Sequence, residues 1–233
     1  MKGYGQFCPV AVACEIVAER WTPLILRELL AGSTRFNQIR QGLPLISRAL
    51  LAQRLHLLEE TGVIQSHARA AGRGREYRLT RAGEALRSIV DGLGAWGQHY
   101  AATQFSPENL DVGLLMFNIK RRVDLSRLPK PRVVVRFELR GVPARCRNMR
   151  TTWLVLEPTG VDVCIKDPGF PVDLVLQADM ATLARVWAGH VTFAQGARTG
   201  GLRLEGPREL VHAFPGWLKL SHFAAVLRSA HAS

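Results

Sequence analysis

Residues 47–80, SRALLAQRLHLLEETGVIQSHARAAGRGREYRLT, decide the fold. Ser47 is a helix N-cap, and Leu50, Leu51, Leu55 and Leu58 recur at helical spacing until Gly62 closes the run. Val63-Ile64 and Glu76-Tyr77-Arg78-Leu79 then flank the polar stretch AAGRGR, which reads as two short strands around a glycine-rich turn. Thr80 opens the next helix. The segment is therefore helix, hairpin, helix, with arginines on both the helix and the hairpin tip.

Upstream, Pro9 suits a first helical turn, and Val10, Val12, Ala13, Ile16 and Val17 continue an apolar face. Thr22-Pro23 reads as N-cap and N1 of a second helix, with Leu24, Ile25, Leu26, Leu29 and Leu30 before Gly32. A short helix spans Phe36–Arg40 and turns at Leu43-Pro44. Downstream of Thr80, a long helix carries Leu86, Ile89, Val90, Leu93 and Trp96 to about Tyr100. Three helices, a hairpin and a closing helix in this order make a winged helix-turn-helix, with the basic residues where a DNA reader needs them.

The pattern changes after residue 104. Ser106-Pro107-Glu108 is expected to start a helix through Leu110, Leu114, Leu115 and Phe117, which Leu128-Pro129-Lys130-Pro131 breaks. From Val133 the period becomes two, with further strands at Trp153–Leu156, Val161–Ile165, Leu174–Leu176 and Leu202–Leu204. Helices capped at Asp179 and starting at Pro207 are interspersed. The expected fold class is α+β: an N-terminal winged helix-turn-helix domain, residues 1–104, followed by an antiparallel-sheet α+β domain, residues 105–233.

The 233 residues carry 31 Lys+Arg against 19 Asp+Glu, a net charge of +12, which suits a nucleic acid or another anionic partner. The charge is uneven: residues 35–81 hold nine Arg against three Glu, and residues 120–150 hold eleven basic residues against two acidic. The second block reads as a solvated face or as a contact for DNA, acidic residues or an anionic ligand. No apolar run is long enough to span a membrane, and MKGYGQFCPVAVACEIVAER is too interrupted for a signal peptide. Cys8, Cys14, Cys146 and Cys164 include no CxxC, so a zinc site, a disulfide scaffold and a secreted protein are disfavoured, and a reducing cytoplasm is expected. Neither a P-loop nor GxGxxG is present, and the seven His form no triad spacing. No enzyme, metal or cofactor is expected.

Residues 8–64 followed by Gly74–Gly83 resemble the HxlR-type winged helix-turn-helix transcriptional regulators, through Cys8-Pro9, Arg20-Trp21, Arg35-Phe36, Ile46-Ser47, Leu58-Glu59, Gly62, Glu76-Tyr77 and Leu79-Thr80. More faintly, residues 108–220 resemble an SCP2-type sterol-carrier fold, through the Trp153 strand, Asp167-Pro168-Gly169, Trp187-Ala188-Gly189, Gly206 and Phe214-Pro215-Gly216-Trp217. The first resemblance implies a homodimer paired through the first and last helices of the winged domain, on a palindromic site in double-stranded DNA. Trp96 and Tyr100 suit such an interface or an ordinary core.

Ser47, Arg48, Gln53 and Arg54 on the third helix have the donors to reach bases or phosphates, although Ala49 stands where the family pattern has a basic residue. Arg73 and Arg75 on the glycine-rich wing tip suit a narrow minor groove, and Arg35, Arg69 and Arg78 are phosphate candidates. The resemblance also links Cys8 to redox or electrophile sensing, and a thiol at a helix N-terminus has its thiolate favoured by the dipole. In the second domain Trp153, Phe170, Trp187, Phe193, Phe214 and Trp217 are candidates to line a pocket for an apolar small-molecule effector, or simply to fill the core. The alternative to a regulator is a lipid or small-molecule carrier whose helical N-terminal domain mainly dimerises.

Overall fold

A computed structural model describes residues 3–69, 74–101 and 105–225. The chain divides into two compact units, Met1–Gly94 and Ala95–Ser233.

The first unit opens with α1 (Pro9–Val17), α2 (Thr22–Leu30), α3 (Phe36–Gln41) and α4 (Arg48–Glu60). Strands β1 (Ile64–Ala68) and β2 (Arg75–Leu79) pair antiparallel, Ile64 opposite Leu79 and Ala68 opposite Arg75. Two helices follow, α5 (Arg81–Ala85) and α6 (Arg87–Tyr100), separated by a turn at Leu86. The core is built from the inward stripe of each helix: Ile25 and Leu26 of α2, Ile39 of α3, and Leu51, Leu55 and Leu58 of α4, closed by Ile64. Spacings of three and four residues put those side chains on one face, and their burial, worth ~1.5–3 kcal/mol each, fixes how α4 lies.

One expected cap needs correction here, and two apolar stripes stay uncovered. Helix α1 buries none of its residues: Val10 and Val12 are exposed, and only Ile16 and Val17 lean on the core. Helix α2 takes its N-cap at Trp21, in the left-handed region at φ 79°, so Thr22 is the first helical residue and is fully buried. The outer stripe of α6, Ile89, Leu93 and Trp96, also stays exposed, leaving Val90 as that helix's buried residue. A helical apolar period marks a face that wants cover, and it does not say which surface covers it.

The second unit contains α7 (Val112–Lys120), β3 (Val133–Arg140), β4 (Thr151–Glu157), β5 (Gly160–Cys164), β6 (Leu174–Asp179), α8 (Met180–Ala188), α9 (Phe193–Arg198), β7 (Leu202–Glu205) and α10 (Arg208–Trp217). Ser106–Leu110 forms a turn, and α7 begins only after Asp111, whose carboxylate accepts from the Leu114 amide at 2.8 Å. The sheet order is β5-β4-β3-β6-β7, and β3 and β6 run parallel, which corrects the all-antiparallel expectation. Strands β3, β4 and β5 form a meander with a tight turn at Gly160. Residues 165–173 then lead to the far side of β3, where β6 enters in the same direction as β3. The alternate residues Val133, Val135, Phe137 and Leu139 pack in one core with Leu115 and Met116 of α7, Leu183 of α8 and Phe214 and Trp217 of α10.

Candidate nucleic-acid interface

The α4 N-terminus is set by Ser47, whose Oγ accepts from the Leu50 amide at 3.2 Å. With Leu51, Leu55 and Leu58 turned inward, the opposite face presents Arg48, Ala49, Ala52, Gln53 and His56, all exposed. Arg54 does not join that face. Its Nη2 donates to Glu19 Oε2 at 2.7 Å, leaving the side chain 15% exposed, so it ties α4 to the α1–α2 link rather than facing outward. His56 lies 3.3 Å from Glu60 on the solvent side.

The hairpin starts beside α4 and carries its own charge pairs. Arg75 donates from Nε to Ser66 Oγ at 2.7 Å and lies 3.2 Å from Glu59; Arg78 lies 3.4 Å from Glu76. The Ser66 hydroxyl donates to Glu59 and, with the nearby Arg75 guanidinium, holds that carboxyl below the usual carboxylate range. Arg69, half-buried at the hairpin's end, donates its amide to the Gly74 carbonyl at 3.2 Å. Gly74 has φ 110°, a backbone only glycine adopts cheaply. Arg73 lies outside the described residues. Arg35 is exposed at the α3 N-cap, where its backbone bridges to Glu76 of β2 while the Thr34 carbonyl accepts from the Tyr77 amide at 2.8 Å. This isolated bridge holds Arg35 against the hairpin.

Cys8 is exposed at the N-cap of α1. The amides of Ala11, first, and Val10 hold its thiol below the ordinary value, because an N-terminal amide dipole favours the thiolate.

In the second unit the six aromatic candidates take different places. Phe214 and Trp217 are core residues at 0% and 1% exposure, and Phe170 lies under the Arg132 guanidinium, 4.0 Å from its ring centre. Trp153 sits on β4 opposite Arg136, on the alternate face from Leu154, and its buried indole N–H has no hydrogen-bond partner among the described residues. Trp187 packs at the margin of the core. Phe193 lines a cleft of about 570 Å³ together with Arg122, Val186, Pro215, Leu218, Lys219 and Leu220. Sequence reasoning missed this cleft because its walls mix aliphatic side chains with Arg122, Thr192, Lys219 and His222 and come from three separate stretches of the chain.

The basic block is mostly paired within its own unit, through surface contacts that leave its ion-paired cations 36–63% exposed, so the face stays solvated. Nine of its eleven cations have partners: Lys120 with Asp162, Arg121 with Asn118, Arg122 with the Leu220 carbonyl, Arg127 with Asp124, Lys130 with Asp173, Arg132 with Glu157, Arg136 with Glu138, Arg140 with the Gly200 carbonyl, and Arg145 with the Glu108 carbonyl. Arg147 and Arg150 are exposed. No helix among the described residues is long and apolar enough to cross a membrane.

Residues 16–105 match the family model of the HxlR-like helix-turn-helix. An HTH-type transcriptional regulator of Mycobacterium tuberculosis is 42% identical over 92 residues, 39% of this chain and 58% of that protein, so the chain spans little more than half of that relative. The HTH-type transcriptional regulator YvaP of Bacillus subtilis is 35% identical over 102 residues, 43% of this chain and 94% of YvaP. A third, from Methanothermobacter thermautotrophicus, is 34% identical over 98 residues and matched over 75% of its length. With a relative matched over nearly its whole length by the same segment that forms the capped α4 and its hairpin, this chain belongs to the HxlR-like helix-turn-helix family.

Proposed function

We propose that this protein is a sequence-specific transcriptional regulator that binds double-stranded DNA as a homodimer. The observation that carries the reading is α4: a helix capped by Ser47, anchored by three buried leucines, with Arg48 and Gln53 exposed at its N-terminal end beside a two-stranded wing. A recognition helix enters the major groove by that end, while wing arginines suit the backbone or minor groove. Arg35, Arg48, Arg69, Arg73, Arg75 and Arg78 are the DNA-facing cations of this reading; Arg54 serves it by holding α4 in place.

The stripe Ile89, Leu93, Trp96 and Tyr100 supports dimerisation. These residues follow one face of α6 and are 49%, 54%, 61% and 70% exposed, an apolar strip that a second copy would cover. Two-fold pairing would set two recognition helices about 34 Å apart on a palindromic operator. The second unit, read as an SCP2-type sterol-carrier fold, is the effector module, and the cleft beside Phe193 is where an apolar small molecule would enter. Cys8, exposed with its thiolate favoured, is the residue through which an oxidant or electrophile would act.

Fluorescence anisotropy with randomised duplexes, at increasing salt, tests the proposal. Affinity is expected to fall with a log–log slope of about −0.9 per phosphate contacted. Arg48→Ala should change sequence preference, whereas Arg73→Ala with Arg75→Ala should weaken binding to every duplex. A protein that binds no duplex at low salt refutes the reading.

A further inference from the structure

The outward face of α4 has an uneven composition. Arg48 stands at its start, His56 lies 3.3 Å from Glu60 toward its end, and Arg54 is withdrawn to Glu19. Between them lie Ala49, Ala52 and Gln53, all exposed, at spacings of three and four residues that put them side by side. Two methyl groups and one carboxamide therefore form the middle of the surface that would meet base edges.

Resting on the proposal that α4 is the recognition helix, we infer that this helix reads A·T pairs at the centre of each half-site, with Ala49 and Ala52 against thymine C5-methyl groups and Gln53 on an adenine. The major groove offers one apolar group, the thymine methyl, and alanine is small enough to meet it without holding the helix backbone away. Glutamine complements adenine, accepting from N6–H and donating to N7. Arg48 is the residue on this face with a guanine-reading fork, and its place at the helix start puts any G·C preference at one end of the half-site. A longer side chain at Ala49 or Ala52 would reach a phosphate or a guanine and bring a different code; the Arg54 that the sequence offers for that role is bonded elsewhere.

The test uses the full-length protein and selection from a randomised duplex library at low salt. Selected half-sites should carry an A·T core. Replacing its contacted thymines by deoxyuridine, which deletes only the methyl, should weaken binding about fourfold per methyl. Ala49→Ser and Ala52→Ser, which keep a helix former of similar size, should bind the uracil and thymine duplexes with nearly equal affinity. Gln53→Ala should lose its preference for adenine over 7-deazaadenine. Tight binding to selected sites that have a G·C core, or that are indifferent to uracil, overturns this inference alone. Failure to bind any duplex overturns the regulator reading and takes this inference with it.

Discussion

Gly83 gives the sharpest test of how the wing is anchored. It lies buried in α5, and a Cβ added there would sit 2.2 Å from the Val63 carbonyl oxygen and 2.9 Å from Leu79 Cδ2. That carbonyl is already engaged: it accepts from the Thr80 amide and from the Thr80 hydroxyl, each at 3.1 Å, while Thr80 Oγ1 caps α5 by accepting from the Gly83 amide at 3.2 Å. An ordinary contact of about 3.4 Å would require α5 and the start of β1 to part by roughly 1.2 Å, enough to break two or three of these bonds at about 1 kcal/mol each. Against this, alanine is the better helix former by ~0.5–1 kcal/mol. Gly83→Ala should therefore destabilise the first unit by about 2 kcal/mol, in line with other overpacked sites. Gly92 in α6 is the control: it is exposed, and an added Cβ meets nothing within 4 Å. Gly92→Ala should be neutral or stabilise by up to ~1 kcal/mol. Urea denaturation followed by circular dichroism, with hydrogen exchange of the β1 and β2 amides to isolate this unit, measures both. If Gly83→Ala matches or exceeds the parent in stability, the close approach of α5 to the wing is wrong.

The Arg54–Glu19 pair, at 2.7 Å and 15% and 33% exposure, should show a coupling of about 1–2 kcal/mol in a double-mutant cycle of Arg54→Ala with Glu19→Ala. A coupling under ~0.3 kcal/mol would return Arg54 to the DNA-facing cations. For Cys8, peptide-resolved alkylation across pH should give a midpoint below the ~8.5 of a free thiol, since a lowered pKa leaves more thiolate at neutral pH. A midpoint at or above that value would remove the helix-terminus effect and weaken the sensing role.

What could be read from the chain was what is local. Ser47 and Thr80 mark helix starts because a cap is a bond between residues three apart, and both caps form as expected. The leucines of α4 identify its buried face for the same reason. Thr22 misled because a Thr-Pro pair suits an N-cap, whereas Trp21 in the left-handed region starts the helix one residue earlier. The apolar stripes of α1 and α6 were legible as stripes, but their cover is a property of the tertiary or quaternary surface, and Val10, Val12, Ile89, Leu93 and Trp96 remain exposed. The parallel β3–β6 pairing was equally out of reach, since it depends on where residues 165–173 deliver the chain.

The basic block shows why net charge was a poor guide to where the chain would meet its partner. Eleven cations against two acids in residues 120–150 look like a binding surface only while the acids they meet are counted elsewhere. Asp162, Glu157 and Asp173 come from later in the chain, and main-chain carbonyls of residues 108, 200 and 220 take three more cations. A guanidinium pointed at a carbonyl keeps its charge in the sum yet has fewer donors left for a phosphate. The salt slope of DNA binding counts phosphates contacted, not formal charge. It should therefore respond to the few cations on α4, on the α3 cap and on the wing, and scarcely to the block that holds most of the excess. Glu59 and Glu76 carry this further, because each pairs with a wing arginine and dilutes that residue's pull on DNA. Specificity must then rest on what α4 places in the groove, where two of the six exposed positions are alanines.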